Sequence, residues 1–149
     1  MRRWWVNIGA PLERSSEEGD HAWNWDQFVE EASRDPLQRS YVALTASAGR
    51  LEAEGAIIYR LNARSLLEPG RMAVYLRYVA TAPRNRYRLV GEDAVHRGVG
   101  EGLVAIAILE SISVGLEGRV LGDPLRPAIP FYEGMGFQKA MDPEDRHVY

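Results

Sequence analysis

Arg97-Gly98-Val99-Gly100-Glu101-Gly102 stands between the strand-like run Met72–Thr81 and a long apolar stretch that reads as a helix from near Leu103. A glycine-rich turn that feeds a helix leaves backbone N–H groups unpaired and pointing outward, which is what a phosphate or pyrophosphate needs. The same glycines also have a purely structural reading, because tight turns and close helix–sheet packing require small residues. No Gly-Lys-Ser/Thr follows the turn, so triphosphate chemistry lacks its lysine and its magnesium hydroxyl. Nor does the turn follow the first strand, as a dinucleotide-binding fold demands; the candidate strands before it read as hairpins.

Outward from the turn, the pattern gives a mixed α/β order. Residues 4–8 read as a first strand, and residues 11–20 have no periodicity. Trp25, Phe28, Val29 and Ala32 fall on one face of a helix, with Asn24 and Gln27 as its capping pair and Asp35-Pro36 at its end. Residues 41–46 and 56–61 form a hairpin around a turn at 47–50, and a second turn at Glu68-Pro69-Gly70 leads into Met72–Thr81, the longest strand signal. Pro83 stops that strand, and residues 84–96 are unpatterned and read as a loop. Residues 103–114 carry almost no polar face, which predicts a helix nearly all buried, ended by Gly115 and Gly118. A strand at 119–121, a helix at 128–134, and short strands at 137–140 and 147–149 complete the series. The expectation is one domain spanning residues 1–149, with helices on the faces of a mixed sheet.

Composition narrows the chemistry. The chain has 149 residues, 46% of them hydrophobic, enough for one compact core. It has no membrane-length apolar run and no signal-like start, so a soluble cytoplasmic protein is expected, without a membrane partner. With no cysteine, thiolate metal sites and a cysteine nucleophile are excluded, and three scattered histidines do not group into a metal site. The net charge of −3 gives no global pull toward nucleic acid. All basic residues except Lys139 are arginines, and Arg84, Arg86, Arg88 and Arg97 cluster as either an anion contact or a solvated loop.

Three blocks in order resemble the GNAT superfamily of acyl-CoA-dependent N-acyltransferases: Val79-Ala80-Thr81-Ala82-Pro83, then Arg97-Gly98-Val99-Gly100-Glu101-Gly102-Leu103-Val104, then Ala128-Ile129-Pro130-Phe131-Tyr132-Glu133-Gly134-Met135-Gly136-Phe137. The middle block is similar to the family's Arg/Gln-x-x-Gly-x-Gly/Ala signature and the last to its Ala-Ile-x-Phe-Tyr-Glu-x-x-Gly-Phe ending. The resemblance covers residues 41–137. It implies an α/β (α+β) GNAT-like fold, with a mostly antiparallel mixed sheet of six or seven strands and about four helices. It also implies an N-acetyltransferase that uses acetyl-CoA as acyl donor and a small-molecule or peptide amine as acceptor, by direct transfer in a ternary complex.

The resemblance assigns roles to residues. Backbone N–H groups from Gly98, Val99, Gly100, Glu101 and Gly102 would hold the CoA pyrophosphate, with Arg97 supporting the turn or facing a phosphate and the 84–88 arginines reaching the outer phosphates. The strand carrying Val79, Ala80 and Thr81 would bulge and splay, so that the pantetheine arm bonds to its backbone and an N–H near Val79 polarises the thioester carbonyl. Tyr132 would donate a hydrogen bond or a proton to the leaving thiolate, whose parent thiol has a pKa of about 8.5 against about 10 for a phenol. Its other reading is a core aromatic.

Two features depart from the family. The segment from Pro83 to Arg97 is longer than usual, and Leu125 stands where an asparagine often precedes the Ala-Ile pair. The long strand offers Tyr75, Arg77 and Tyr78 but no carboxylate, and Arg77 cannot act as a base. Glu54, Glu92, Asp93 and His96 read either as substitutes for a general base or as surface residues, and a water relay or a substrate of lower pKa would remove the need for one. Trp4, Trp5, Trp23 and Trp25 are either an acceptor-side wall or core and dimer packing; edge strands and an apolar C-terminus are consistent with a homodimer. The rival readings are a non-catalytic acyl-CoA-binding or regulatory module on the same scaffold, and an unrelated phosphate-binding protein.

Overall fold

The computed structural model describes residues 18–141 and 147–148. The expected strand at 4–8, with Trp4 and Trp5, and the terminal Tyr149 lie outside them. Helix α1 (Trp25–Arg34) starts where Asn24 accepts a hydrogen bond from the Gln27 N–H, carries Asp26 in its first turn and Arg34 in its last, and stops at Asp35. The Gln27 side chain turns away from the cap and donates instead to Glu31 at 2.8 Å. Trp25 and Ala32 bury against Ala56, Ile58, Ala80 and Ala82 on one face of the sheet.

Strands β1 (Gln38–Ser47) and β2 (Arg50–Arg64) are the expected hairpin, closed by Ala48 and Gly49, both with positive φ. Glu54 is the extra residue at a bulge between Ala43 and Leu44 of β1. Strand β3 (Met72–Thr81) pairs antiparallel with β2, with Arg77 as an extra residue between Leu76 and Tyr78. Strand β4 (Val120–Gly122) runs parallel to β3, but the pairing lasts only from Val74–Val120 to Leu76–Gly122. Beyond Leu76 the two strands part. The bulge and the early end of pairing leave the last four residues of β3, Tyr78 to Thr81, paired on the β2 side alone.

Four expectations need correction. Among the described residues the central sheet has four strands, β1-β2-β3-β4, rather than six or seven; β5 (Ala140–Met141) and β6 (His147–Val148) pair only with each other. The strand expected at 137–140 shrinks because Phe137 is still tied to the preceding helix, its N–H donating to the Tyr132 carbonyl, and Gly136 has a φ of +88°. The segment at 84–96 is not plain loop: it holds 3-10 turns at Pro83–Asn85 and Gly91–Asp93 around a short helix, α2 (Tyr87–Val90). Side chains rather than apolar periodicity order it, and hydropathy does not register those.

The fourth correction concerns α3 (Val99–Ser113), which begins inside the glycine turn instead of near Leu103. Leu103, Val104 and Ala107 bury against Ile57, Tyr59, Leu61, Val74 and Leu76, forming the main core. The opposite side is open to solvent, with Leu109 65% and Ile112 56% exposed, so the helix is not nearly all buried. Helix α4 (Ile129–Gly134) follows a 3-10 turn at Arg126–Ala128 and brings Tyr132 into the same core.

Candidate active site

A cleft of about 530 Å³ opens between the free end of β3, the start of α3 and α4. Its walls include Val79, Ala80 and Thr81 from β3, Arg97 to Glu101 from the glycine turn, and Phe131 and Tyr132 from α4. Three blocks that are separate in sequence thus meet in one cavity. Gly102 does not reach the wall, and its N–H is spent on the Gly98 carbonyl at 2.9 Å.

The mouth of α3 suits an anion. Gly98, with φ +78°, makes the left-handed turn into the helix, and no side chain caps it. The N–H groups of Val99, Gly100 and Glu101 therefore open the helix without an intrahelical partner, at the positive end of its dipole. Gly100 is buried, and a Cβ there would stand 3.1 Å from the Phe131 ring and 3.5 Å from Thr81 Cγ2. A larger residue would push into the cleft wall. An uncapped first turn beside a glycine-lined wall fits a pyrophosphate, the group that the resemblance implies.

Tyr132 is 6% exposed, set edge-on to Phe131 and Phe137 at 5.1 and 5.3 Å between ring centres. Burial pushes its phenol up to about 12, so it stays protonated throughout the neutral range. The side chain is both core and cleft wall.

The general-base candidates disperse. Glu54 is 3% exposed; burial pushes its carboxyl up, but hydrogen bonds from Arg84, Thr45 and Asn85 and the Arg84 charge outweigh that and hold it at about 2. Thr45 Oγ1 donates to it at 2.6 Å, Arg84 Nη2 at 2.7 Å and Asn85 Nδ2 at 2.7 Å, and His96 Nε2 lies 3.6 Å away. A carboxylate so held is a weak base and an effective anchor. Glu92 is exposed and paired with Arg97 at 2.8 Å. None of Glu54, Glu92, Asp93 and His96 lines the cleft.

Each arginine of the cluster meets a carboxylate, while Arg86, Arg88 and Arg97 also line the cleft. Arg84 belongs to Glu54, and Arg88 pairs with Glu18. Arg86 is largely but not fully buried, and burial opposes its charge, but Asp20 and Glu18 outweigh that and hold its pKa above the usual arginine value. Glu18 and Asp20 both line the cleft. Sequence reasoning left them in an unpatterned polar stretch; the only signal was an acidic run, Glu17-Glu18-Gly19-Asp20, to match the arginines at 84, 86 and 88. Trp23, Trp25, Phe28 and Tyr78 pack together on the α1 face of the sheet, with Phe28 and Tyr78 stacked at 4.0 Å, and do not line the cleft. Among the described residues no three potential metal ligands cluster, and no helix is long and apolar enough to cross a membrane.

The fold is similar to that of solved acetyltransferases. An acetyltransferase from Trypanosoma brucei superposes with a TM-score of 0.53 at 19% identity, covering 86% of this chain and 90% of the other. A ribosomal-protein-alanine N-acetyltransferase from Brucella melitensis biovar Abortus gives 0.54 at 15% identity, over 89% of this chain and 86% of that one. A tyrosine-to-phenylalanine mutant of KacT gives 0.57 at 13% identity, over 95% and 84%. No family model matches the sequence, and no curated protein matches it. The likenesses establish the fold: the chain shares the fold of these acetyltransferases.

Proposed function

We propose that this protein is an acetyl-CoA-dependent N-acetyltransferase that moves the acetyl group directly to a primary amine in a ternary complex. The observation that carries the reading is the single cleft shared by the uncapped start of α3, the parted end of β3 and Tyr132. Acetyl-CoA supplies the acyl group already activated as a thioester.

Each wall has a part in that reaction. The N–H groups of Val99, Gly100 and Glu101 hold the pyrophosphate, each charge-assisted bond contributing about 1.5–3 kcal/mol. The β3 backbone near Val79 donates to the thioester oxygen as charge develops on it. Tyr132 donates a hydrogen bond to the departing sulfur. Full proton transfer from a phenol at about 12 to a thiolate of parent pKa about 8.5 is uphill, so its contribution is to stabilise the thiolate before solvent protonates it. Glu18 and Asp20 are paired with arginines, and the other carboxylate lining the cleft, Glu101, stands in the first turn of α3 whose N–H groups hold the pyrophosphate, so the amine loses its proton through water, or enters neutral.

The spending of Glu18, Asp20 and Glu54 on arginines also favours the second reading, a module that binds acyl-CoA without turning it over. Thiol release from acetyl-CoA, followed across a panel of primary amines, separates the two. Amine-dependent release supports the enzyme; tight acetyl-CoA binding with no release above hydrolysis for any amine supports the module.

A further inference from the structure

Two segments far apart in the chain meet at one end of the cleft. Arg86 Nη1 donates to Glu18 Oε2 at 3.0 Å and to Asp20 Oδ1 at 2.9 Å, and Nη2 also pairs with Asp20 Oδ2. The same guanidinium donates from Nε at 3.0 Å and from Nη2 at 2.7 Å to the carbonyl of Thr81, the last residue of β3. Between the two acids, Gly19 has a φ of +78°, and a Cβ there would stand 3.1 Å from Leu125 Cδ1. The Glu18-Gly19-Asp20 segment is therefore tied at one side to the end of β3 and seated at the other on the chain that leaves β4. It crosses the gap where those strands have parted.

Burying two carboxylates and a guanidinium costs several kcal/mol in lost hydration, and apolar packing would serve stability as well or better. The arrangement does provide direction. An arginine fork serves two carboxylates and a carbonyl at once in a fixed plane, which a lysine ammonium does not. Leu125, in the position where the family often has asparagine, becomes the apolar seat of Gly19.

We propose that Arg86 is a positioning residue, locking the Glu18–Asp20 crosspiece and the Thr81 end of β3 into one geometry that forms the inner wall of the acetyl-CoA site. The inference rests on the acetyl-CoA reading above. With the Thr81 carbonyl already taken by Arg86, the wall presents its remaining β3 backbone groups in a fixed orientation.

The test is calorimetric titration with acetyl-CoA of wild type, Arg86→Lys and Gly19→Ala, at a temperature where each variant is folded by circular dichroism. Arg86→Lys keeps the charge and loses the fork, whereas Gly19→Ala keeps every charge and unseats the crosspiece. Both are expected to weaken acetyl-CoA binding about tenfold and to speed amide exchange in the Glu18–Asp20 segment. Arg119→Lys, which loosens a fork shared by Glu68 and Glu117 outside the cleft, lowers stability without changing the affinity. Folded Arg86→Lys with an acetyl-CoA affinity within about twofold of wild type overturns the proposal even if its melting temperature falls. Should that variant not fold, the same result for Gly19→Ala overturns it. Absence of acetyl-CoA binding by wild type overturns the underlying reading and this inference with it, and is recognised before any variant is compared.

Discussion

Arg84 Nη2 stands 2.7 Å from Glu54 Oε1, joining the segment after β3 to the bulge of β2 through a carboxylate almost wholly removed from solvent. Thr45 and Asn85 complete its shell, and the Asn85 side-chain oxygen in turn accepts from the His96 N–H at 3.0 Å. Glu54 thereby holds both ends of the 84–96 segment. Asn85, Tyr87 and Ala94 of that segment line the cleft.

This pair sets an acid limit on stability. The folded-state pKa of about 2 lies below the ordinary 4.5, so the stabilisation is complete above about pH 4.5 and is lost as pH falls toward 2. It amounts to a few kcal/mol. Urea midpoints between pH 7 and pH 2.5 are expected to fall less steeply for Glu54→Gln than for wild type, although the variant starts lower at pH 7. Parallel acid limbs would remove Glu54 from this role.

Tyr132→Phe is expected to lower kcat by about 100-fold while leaving acetyl-CoA affinity within about twofold, because the hydroxyl acts on the sulfur only as it leaves. With a phenol at about 12, the wild-type rate has no alkaline limb near pH 10 arising from this residue. A pH–rate profile with such a limb, absent in Tyr132→Phe, would contradict the protonated-tyrosine assignment.

Gly100→Val places a branched side chain where even a Cβ meets the Phe131 ring at 3.1 Å. Overpacking there costs about 1–3 kcal/mol and closes the approach to the first-turn N–H groups. Loss of acetyl-CoA binding is expected to exceed the loss of stability, as read by calorimetry beside urea denaturation. Undiminished binding in the variant would place the pyrophosphate elsewhere.

The two sides of α3 separate cleanly. Leu103→Ala should cost about 2–5 kcal/mol, since Leu103 is buried in the main core. Leu109→Ala, on the open side, should cost no more than about 0.5 kcal/mol in urea denaturation. Equal losses would mean that Leu109 is covered by something in solution.

Much of the fold was legible because it is written in local signals. Asn24 and Asp35-Pro36 bound α1, and Ala48-Gly49 turns the hairpin. The cleft was legible because the glycine turn, Val79–Thr81 and Tyr132 each lie in a block with a recognisable pattern. What escaped depends on partners distant in sequence. Arg86 has the same local appearance whether solvated or buried, and only Glu18 and Asp20, 68 and 66 residues away, decide it. Hydropathy read Leu109 and Ile112 as core because it records side-chain character and not which face of α3 the sheet covers. Glu54 is one acid among alternating strand residues until its bulge turns it into the gap beneath Arg84.

Calorimetric titration of the wild-type protein with acetyl-CoA, beside NAD as an unrelated nucleotide, tests the central claim most directly. The account predicts one-to-one binding of acetyl-CoA in the micromolar range and no heat with NAD. No binding of acetyl-CoA, or equal binding of both, would contradict it.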